Sequence, residues 1–396
     1  MRGESHMPMN ENIRKPRVIV SSVGTSLLTN ILESDERSLW AARINATANL
    51  REEDIDSETR AFLVILAERA RKRLKEGDIR DRRRRSAELN GIYGIYHGKI
   101  PDEAKQDLHF LIQTDTYQGS LTATLLKDFL KDANLNAEVV IPQKLNTNST
   151  GEFNKGIREL IERCHTRLTP LKESGYRIFF NLVGGFKALQ GYMNTIGMFY
   201  ADRIYYIFEG SDNMINIPKL PVRVDSSVLK PHAALLAMMS VGNPLCSAHQ
   251  VKGILGAGVL FEVDSNGDAM ISPSGMLIWE QVKEEIFLEG LLEFPGIEYS
   301  SEFRKDFNSA QKEEKIGLQE ALAKVASLLA HSGGDIAVLK ADNGLQLESY
   351  QDRRDEEGLP IMKFRYNKGM RVSCVKKGDN LLMRKFDHHD KVNDNP

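Results

Sequence analysis

Strand-like and helix-like stretches alternate along the first half of the chain, and this alternation limits the fold more than any other feature. Short β-branched or aromatic runs are each followed by an amphipathic helical stretch. The strand-like runs, between residues 17 and 207, are VIVSS, LHFLI, AEVVI, YRIFFN and DRIYYI. Parallel strands need such helical crossovers, which cover both faces of the sheet. We therefore predict an α/β domain with a parallel sheet over residues 15–224.

A long charged stretch interrupts the alternation between the first two strands. Residues 36–90 have helical periodicity and include four consecutive arginines, Arg82 to Arg85. We interpret this stretch as a helical hairpin inserted into the parallel domain. Four like charges in a row are typical of a solvated face or loop, so we assign them no binding role.

The middle of the chain, residues 225–295, has a different pattern. Two short helical stretches are broken near Gly242, Asn243 and Pro244, and a hairpin follows with its tip at Asp264 to Gly267. This order suits a winged helix-turn-helix. DNA readers are basic, but here three lysines oppose nine carboxylates. We therefore interpret the segment as a connector or protein-contact module, not as a DNA reader.

The last segment, residues 296–396, opens with helices and then changes to short alternating strands. The strand-like runs are IAVLK, LQLESYQD, IMKFRYN, MRVSCVKKG and NLLMRKFD. Helices followed by an antiparallel meander predict an α+β domain. The last 36 residues carry nine lysines and arginines against four aspartates, whereas the whole chain has a formal net charge of −2. This basic sheet is the local feature that indicates an anionic partner.

Cysteine usage and hydropathy bear on the compartment. The three cysteines, Cys164, Cys246 and Cys374, are far apart and show no C-x-x-C spacing. Such usage argues against a disulfide framework or a zinc site and suits the reducing cytoplasm. No apolar run reaches the ~18 residues of a membrane helix, and the first residues lack the apolar region of a signal peptide. We interpret residues 1–14, which begin MRGESHM, as a disordered remnant of an expression tag.

Glycine and polar residues follow three of the predicted strands, at the edge where parallel sheets bind ligands. They are Gly24, Thr25, Ser26 and Asn30 after the first strand, Thr114, Thr116 and Gln118 after the second, and Asn181, Gly184, Gly185 and Lys187 after the fourth. Glycine lets the backbone approach an anion, and helix N-termini present free N–H groups to phosphate. Lysine adds a charge, while asparagine and threonine can bind base edges or ribose hydroxyls. Neither a G-x-G-x-x-G nor a P-loop motif is present, so a dinucleotide or P-loop site is not supported.

Two of these stretches, VIVSSVGTSLLTN and FFNLVGGFKAL, resemble the signature regions of CARF domains, the sensors of cyclic oligoadenylates in type III CRISPR defence. The resemblance implies a Rossmann-like fold and a homodimer that binds a two-fold ligand such as cyclic tetra-adenylate across its interface. It places ligand contacts on Thr25 and Ser26 in the first region and on the Gly-Gly-x-Lys turn in the second. Val183 stands where the family often has a hydroxyl residue.

The basic C-terminal segment resembles RelE-family toxins, which cleave mRNA in the ribosomal A site. The resemblance is carried by K-x-R, then G-x-R, and a terminal H-H-D-x-V. It implies catalytic cations at Lys363 and Arg371 and the family's histidine–aspartate pattern at His389 and Asp390. Many relatives have a tyrosine just after this pattern, where this chain has Asn393.

Metal-free RNA cleavage explains why such residues would act together. The 2′-hydroxyl attacks the adjacent phosphate, cations stabilise the dianionic phosphorane, and an acid protonates the 5′-oxygen. On alternating strands Lys363 and Arg365 share one face, and Arg371 can enter from the neighbouring strand. The closing stretch adds Arg384, Lys385, His388 and His389. Because asparagine cannot act as a base, we place proton transfer on a histidine or on Lys363 with a lowered pKa.

Together the two resemblances imply a CRISPR-associated CARF–RelE fusion, with a winged helix-turn-helix as connector between sensor and toxin. Such a protein is an endoribonuclease that cyclic oligoadenylate activates to cleave mRNA on the ribosome, without a metal or another cofactor. The expected partners are a second copy of the chain, cyclic oligoadenylate and the ribosome with bound mRNA, and neither a membrane nor specific DNA. We expect the activator to shift a bistable arrangement that frees or reorients the toxin domains.

Two alternatives belong to other classes of protein. HEPN ribonucleases use an R-x(4–6)-H motif, which Arg384 to His389 and Arg158 to His165 match. HEPN domains are helical, whereas Arg384 follows strand alternation and Arg158 lies in the predicted sensor, so we attribute both matches to chance. A ligand-dependent transcription regulator is the non-enzymatic alternative. The acidic middle segment opposes it, and it leaves the basic sheet without a role.

Overall fold

The computed structural model describes residues 14–208, 213–242 and 246–396. It divides into two compact units, Met1–Val222 and Arg223–Pro396. The predicted tag remnant lies outside the described residues except for Arg14, and so do Asn243 and Pro244 of the predicted helix break. No helix within the described ranges is long and apolar enough to cross a membrane.

A six-stranded sheet forms the centre of the first unit. Its strands are β1 (Arg17–Ser22), β2 (Leu108–Ile112), β3 (Asn136–Val140), β4 (Arg177–Asn181), β5 (Arg203–Ile207) and β6 (Met214–Ile217). The order across the sheet is β3-β2-β1-β4-β5-β6. The first five strands are parallel, as the alternation predicts. The sequence analysis missed β6, which pairs antiparallel with β5.

The helices of the first unit connect these strands and cover the sheet. They are α1 (Ser26–Thr29), α2 (Ser34–Ala46), α3 (Ser57–Glu76), α4 (Ile79–Arg85), α5 (Ala87–Ile95), α6 (Tyr117–Asp132), α7 (Thr150–Glu173) and α8 (Lys187–Tyr200). The predicted hairpin over residues 36–90 is wrong, because four helices, α2 to α5, occupy this region. Asp56, Asp78 and Ser86 each accept a backbone N–H at the start of α3, α4 and α5. Each cap marks the start of a separate helix, whereas the hairpin prediction placed these residues inside continuous helices.

The second unit begins with short helices and a small sheet. Its first elements are α9 (Ala233–Gly242), β7 (Cys246–Ser247), α10 (Ala248–Val251), α11 (Ala257–Leu260), β8 (Phe261–Val263), β9 (Asp268–Ile271) and α12 (Pro273–Glu289). β8 and β9 form the predicted hairpin around Asp264 to Gly267, and β7 completes an antiparallel sheet in the order β7-β9-β8.

The rest of the second unit contains a five-stranded sheet and its helices. The elements are β10 (Ile297–Tyr299), α13 (Ser301–Ser309), α14 (Lys312–His331), α15 (Ala337–Ala341), β11 (Glu348–Arg354), β12 (Pro360–Arg365), β13 (Met370–Lys377), β14 (Asn380–His388) and α16 (His389–Asp394). β11 to β14 form the predicted antiparallel meander, in the order β10-β14-β13-β12-β11. The sequence analysis missed β10, which pairs in parallel with β14 at the edge.

One predicted strand of the last segment is wrong. The run IAVLK contributes to helix α15 and does not join the sheet. The helix ends at Asp342, whose carboxylate accepts the N–H groups of Gly344 and Leu345 and binds Lys324 of α14. Leu339 is buried. Tertiary packing against α14 therefore overrides the β propensity of this run.

The predicted boundary near residue 295 lies inside the second compact unit. Gln319 on α14 donates to the backbone carbonyls of Phe287 and Gly290, at the end of α12. Lys283 on α12 forms ion pairs with Glu280 and with Glu320 on α14. Polar contacts thus join the predicted middle segment to the predicted last segment.

Candidate functional site

The carboxyl ends of β1 and β4 adjoin at the centre of the first sheet. β1 pairs with β2 on one side and with β4 on the other, so the strand order changes direction at this point. Helix α1 begins at Ser26 just after β1, and α8 begins at Lys187 just after β4. Open α/β sheets bind ligands at such switch points. Both predicted glycine turns therefore lie where a ligand is expected.

The turn after β1 and the turn after β4 are in direct contact. A Cβ on Gly24 would lie 2.8 Å from the backbone nitrogen of Gly185, and a Cβ on Gly185 would lie 2.9 Å from Cβ of Ser22. Gly185 also has φ of +102°, a conformation that residues with a side chain rarely adopt. The Ser22 hydroxyl donates to the Gly184 carbonyl. We call Gly24, Gly184 and Gly185 the glycine cradle, because only glycine allows this approach.

Donor groups and one cation surround the glycine cradle. Lys187 is exposed at the first residue of α8, and the N-cap residue Phe186 supplies no capping side chain. The first N–H groups of an uncapped helix are free to bind an anion. Thr25 and Ser26 are half-buried next to Gly24. Hydroxyl, amide and ammonium donors are the groups that bind phosphate.

A buried carboxylate lies against the glycine cradle, and the sequence analysis missed it. Glu88 is 0% exposed. Its Oε1 accepts the N–H of Gly24 at 2.8 Å, and its Oε2 accepts the Ser86 hydroxyl at 2.7 Å. Burial raises the pKa of the Glu88 carboxyl. The available signal was an acidic residue two positions after a helix-capping serine, in the otherwise apolar stretch AELNGIYGIY.

Two predicted ligand residues are fully buried and serve the fold. Asn181 is 0% exposed, and its amide donates to the Ser21 hydroxyl at 3.1 Å and to the Glu88 carbonyl at 3.0 Å. Gln118 is also 0% exposed, and its amide donates to the carbonyl of Ile44 at 2.8 Å. Asn181 joins β4 to α5 and Gln118 joins α6 to α2, so neither side chain is presented at the ligand edge.

Three further predicted residues lie near the edge but already have partners. The hydroxyls of Thr114 and Thr116 are 2.9 Å apart, and Thr116 caps α6 by accepting the N–H of Gly119. Asn30 donates to the carbonyl of Arg85 at 3.1 Å. The structure therefore groups Thr25, Ser26 and Lys187 at the cradle, whereas the side chains of Thr114, Thr116 and Asn30 make capping and turn contacts.

A second candidate site lies on one face of the five-stranded sheet. Lys363 and Arg365 are two residues apart on β12, and Arg371 on β13 is directly opposite Arg365. Residues opposite each other in an antiparallel pair share a face. The three cations therefore lie together on this face of the second unit.

Lys363 is the centre of a cluster that includes the C-terminal helix. Its Nζ donates to Oδ1 of Asn393 at 3.0 Å, lies 3.3 Å from a carboxylate oxygen of Glu348, and lies 4.6 Å from the centre of the Tyr350 ring. The Tyr350 hydroxyl donates to the same Asn393 oxygen at 2.9 Å. Nδ2 of Asn393 lies 3.0 Å from Nε2 of His389. We call Tyr350, Lys363, His389 and Asn393 the Lys363 cluster.

Tyr350 and Glu348 are functional candidates that the sequence analysis missed. Both lie on the edge strand β11, with Glu348 opposite Lys363. Burial raises the pKa of Tyr350 to about 12, so the phenol keeps its proton at neutral pH. The Tyr350 hydroxyl thus binds the side chain of Asn393. The signal was the alternation in ESYQD, which places positions 348 and 350 on one face.

Arg371 is held rigidly beside this cluster. It is 8% exposed, and its Nη1 donates to the carbonyls of Asn367 at 2.9 Å and Met370 at 2.8 Å. Burial lowers the pKa of its guanidinium, and the positive charge of Arg365 lowers it further. Arginine nevertheless stays charged in proteins. A fixed guanidinium is well suited to an oxyanion such as a phosphorane.

The other predicted catalytic residues have different surroundings. Arg384 donates to the carbonyl of Pro396 at 3.4 Å, and its buried Nε has no hydrogen-bond partner among the residues that the structure describes. His388 is exposed at the N-cap of α16 and lines a pocket of its own with Asp306 and Glu314. Among the residues that the structure describes, no histidine, cysteine, aspartate and glutamate side chains are grouped as metal ligands would be.

One family model matches part of the chain. Residues 83–220 are similar to a family described as CRISPR-associated protein (Cas_APE2256). The matched range includes β2 to β6, Glu88 and the turn after β4, but not the turn after β1. No curated protein matches the chain. The similarity supports a CRISPR-associated role.

Proposed function

We propose that the chain is an ancillary effector of CRISPR defence, in which cyclic oligoadenylate binds the first unit and activates mRNA cleavage by the second. In this proposal the first unit is a CARF sensor and the second carries a RelE-like ribonuclease. The observation that carries the proposal is the Lys363 cluster beside Arg371. It groups lysine, tyrosine and histidine side chains, which with arginine are the types that metal-free RNA cleavage needs.

The proposed activator is a ligand that carries several phosphates. The uncapped start of α8, the ammonium group of Lys187 and the hydroxyl of Thr25 are donors around one cradle, whereas the Ser26 hydroxyl already binds the Glu88 carboxyl. Cyclic tetra-adenylate has two-fold symmetry, so a homodimer would hold it between two such cradles. The similarity of residues 83–220 to a CRISPR-associated family supports a CRISPR-associated role for the unit that would bind this ligand. The activator acts allosterically, and the proposal includes no other cofactor.

The proposed reaction is an in-line attack within the RNA. The 2′-hydroxyl forms a bond to the adjacent phosphorus while its proton passes to His389. Tyr350 gives its proton to the 5′-oxygen as the bond from phosphorus to that oxygen breaks. Lys363 and Arg371 stabilise the dianionic phosphorane between these steps. The products are a 2′,3′-cyclic phosphate and a 5′-hydroxyl, and solvent returns the proton from His389 to Tyr350.

In the proposal Tyr350 acts with a histidine in proton transfer, which the sequence analysis placed on a histidine or on Lys363. With a pKa raised to about 12 the phenol is protonated at neutral pH, so it carries a proton for the 5′-oxygen although burial makes it a weaker acid. Asn393, which is neither acid nor base, accepts hydrogen bonds from both Tyr350 and Lys363. In the proposal it orients these two groups towards the same phosphate. The site has few catalytic groups, so we propose that the ribosome positions the mRNA in its A site.

The test uses purified protein, translating ribosomes and a defined mRNA, with and without cyclic tetra-adenylate. Cuts are mapped by primer extension, and we expect ligand-dependent cuts in the A site. Arg371→Ala should abolish cleavage, whereas Lys340→Ala, at an exposed lysine of α15, should not. Lys187→Ala should abolish activation, whereas Lys155→Ala, at an exposed lysine of α7, should not.

Two outcomes would contradict the proposal. Cleavage of free RNA without ribosomes would favour a HEPN-like ribonuclease, although Arg384 lies on strand β14 and Arg158 is buried in α7. Tight binding to a defined operator, with no cleavage at any ring size, would favour a transcription regulator. The hairpin of β8 and β9 is the observation that favours this second candidate.

A further inference from the structure

Glu88 connects three segments that form the proposed ligand site. Its Oε1 accepts the N–H of Gly24 in the turn after β1, at 2.8 Å. Its Oε2 accepts the hydroxyl of Ser86, which precedes α5, at 2.7 Å. On the side of the turn after β4, a Cβ on Gly184 would lie 2.2 Å from Oε1. The carboxyl group is therefore enclosed between the two glycine turns and α5.

The groups that bind the Glu88 carboxyl are uncharged. They are the amide of Gly24 and the hydroxyls of Ser86 and Ser26. Asn181, on the neighbouring strand end, bonds to the backbone carbonyl of Glu88 through its amide. An ionised carboxylate that is fully buried among neutral groups has lost its hydration without gaining a counter-charge. Such a site favours the neutral, protonated acid.

The charged residues on the surrounding elements are directed elsewhere. Arg85, at the end of α4, donates to the carboxylate of Asp81 and to the carbonyl of Asn30. Arg84 on the same helix and Lys187 at the start of α8 are exposed. Burial is the main reason why the pKa of Glu88 is raised, and the hydrogen bonds from neutral donors oppose it only in part.

An anionic ligand adds a second reason for Glu88 to be neutral. The turn that contains Gly184 is both a wall of the Glu88 pocket and the proposed seat of a ligand phosphate. Two negative charges on either side of one glycine turn repel each other through a region that contains little water. Protonation of Glu88 removes this repulsion. The hydrogen bond from the Gly24 N–H to Glu88 remains, because a neutral carboxyl still has an oxygen that accepts it.

We propose that Glu88 is a proton-binding group of the glycine cradle, and that the anionic ligand binds to the form of the protein in which Glu88 is protonated. This inference rests on the proposed function of the same site. Glu88 acts as a positioning residue, since it is fully buried and reaches the ligand only through the backbone of the two turns. Ligand binding then takes up a proton whenever Glu88 is ionised beforehand.

The inference gives a specific dependence of affinity on pH. Where Glu88 is ionised in the free protein, each rise of one pH unit weakens binding by up to about tenfold. Where it is already protonated, affinity does not change with pH. Glu88→Gln keeps a neutral side chain of the same shape, so this variant should bind with one affinity throughout. At high pH it should bind more tightly than the wild type, which a merely structural role would not produce.

The first arm of the experiment measures binding of cyclic tetra-adenylate by equilibrium dialysis, from about pH 5 to about pH 8. Wild type, Glu88→Gln and the control Glu103→Gln are compared, because Glu103 is an exposed carboxylate of the same unit. The control should follow the wild type. Equal pH profiles for wild type and Glu88→Gln, at pH values where the second arm shows that Glu88 is ionised in the folded protein, would overturn the inference while leaving the proposed ligand intact.

The second arm needs no ligand and measures unfolding of the first unit by urea at the same pH values. A carboxyl whose pKa is raised by folding above its ordinary 4.5 destabilises the fold increasingly as the pH rises above that value. The wild type should therefore lose stability relative to Glu88→Gln from low to high pH. Parallel stability curves would overturn the inference. Absence of ligand binding by the wild type at every pH would instead refute the proposed function, and this arm alone would then decide about Glu88.

Discussion

Replacing Gly185 by alanine tests whether the two glycine turns touch. Gly185 has φ of +102°, and an added Cβ would lie 2.9 Å from Cβ of Ser22. Gly175 supplies a matched control in the same unit, because it has φ of +90° and an added Cβ there would meet nothing within 4 Å. Both variants adopt a left-handed backbone with a side chain, but only Gly185→Ala also creates a close contact.

The expected free energies of unfolding differ accordingly. A side chain in the left-handed region lowers the free energy of unfolding by about 1–2 kcal/mol, and both variants should show this loss. Overpacking of a well-filled site costs roughly 1–3 kcal/mol more, and this applies to Gly185→Ala alone. We therefore expect Gly175→Ala to lose about 1–2 kcal/mol and Gly185→Ala about 2–5 kcal/mol. The difference between them isolates the contact between the two turns.

Tryptophan fluorescence can report this unfolding for the first unit alone. The chain has two tryptophans, Trp40 in the first unit and Trp279 in the second. With Trp279→Phe as a common background, Trp40, which stacks on Phe62, reports urea unfolding of the unit that contains both glycines. Equal losses for Gly185→Ala and Gly175→Ala would refute the contact. Retained ligand binding by Gly185→Ala at wild-type affinity would show that the cradle tolerates a side chain.

Two further predictions concern a hydroxyl in the second unit and a histidine in the first. Tyr350→Phe should lower the rate of single-turnover cleavage by about 10²–10⁴-fold with unchanged ligand affinity, since it removes a general acid. The control Tyr366→Phe removes a hydroxyl that donates to a backbone carbonyl, and it should leave the cleavage rate unchanged. Equal cleavage rates for Tyr350→Phe and the wild type would exclude Tyr350 as the acid. Burial lowers the pKa of His109 from 6.5 to about 3, so the imidazole is neutral in the folded protein. As the pH falls below about 6.5 the unfolded chain takes up a proton that the folded protein does not. The free energy of unfolding of the first unit should therefore fall by up to ~1.4 kcal/mol per pH unit. His109→Asn should flatten that urea-unfolding profile, and an unchanged slope would contradict the assignment.

Periodicity predicted the parallel core because β1 to β5 alternate with long amphipathic helices. It missed β6 and β10, which have four and three residues, too few for a periodic signal. It also placed IAVLK in a strand, although the packing of Leu339 makes this run part of a helix. Short elements take their conformation from tertiary contacts, which a local pattern does not contain.

The candidate sites show the same limit at longer range. The glycine turns were predictable because they follow strands of one parallel sheet, whose carboxyl ends meet at one edge. Glu88 was not, since its bond to Gly24 joins residues 64 positions apart. Tyr350 was not either, because its bond to Asn393 spans 43 positions and depends on how α16 packs on the sheet. Conversely, the amides of Asn181 and Gln118 could bind a ligand by their chemistry, but both donate to buried backbone carbonyls instead.

The central position of β1 has a consequence for how the chain is made. β1 is synthesised first, yet the bond from Ser22 to Gly184 spans 162 positions and that from Asn181 to Ser21 spans 160. Contacts between such distant residues form slowly, because a long loop must close before they stabilise anything. A nascent chain that has not yet released β4 from the ribosome therefore lacks the cradle altogether. The contacts between the two turns therefore form only after residue 185 has been synthesised, and a product that ends earlier carries only the turn after β1.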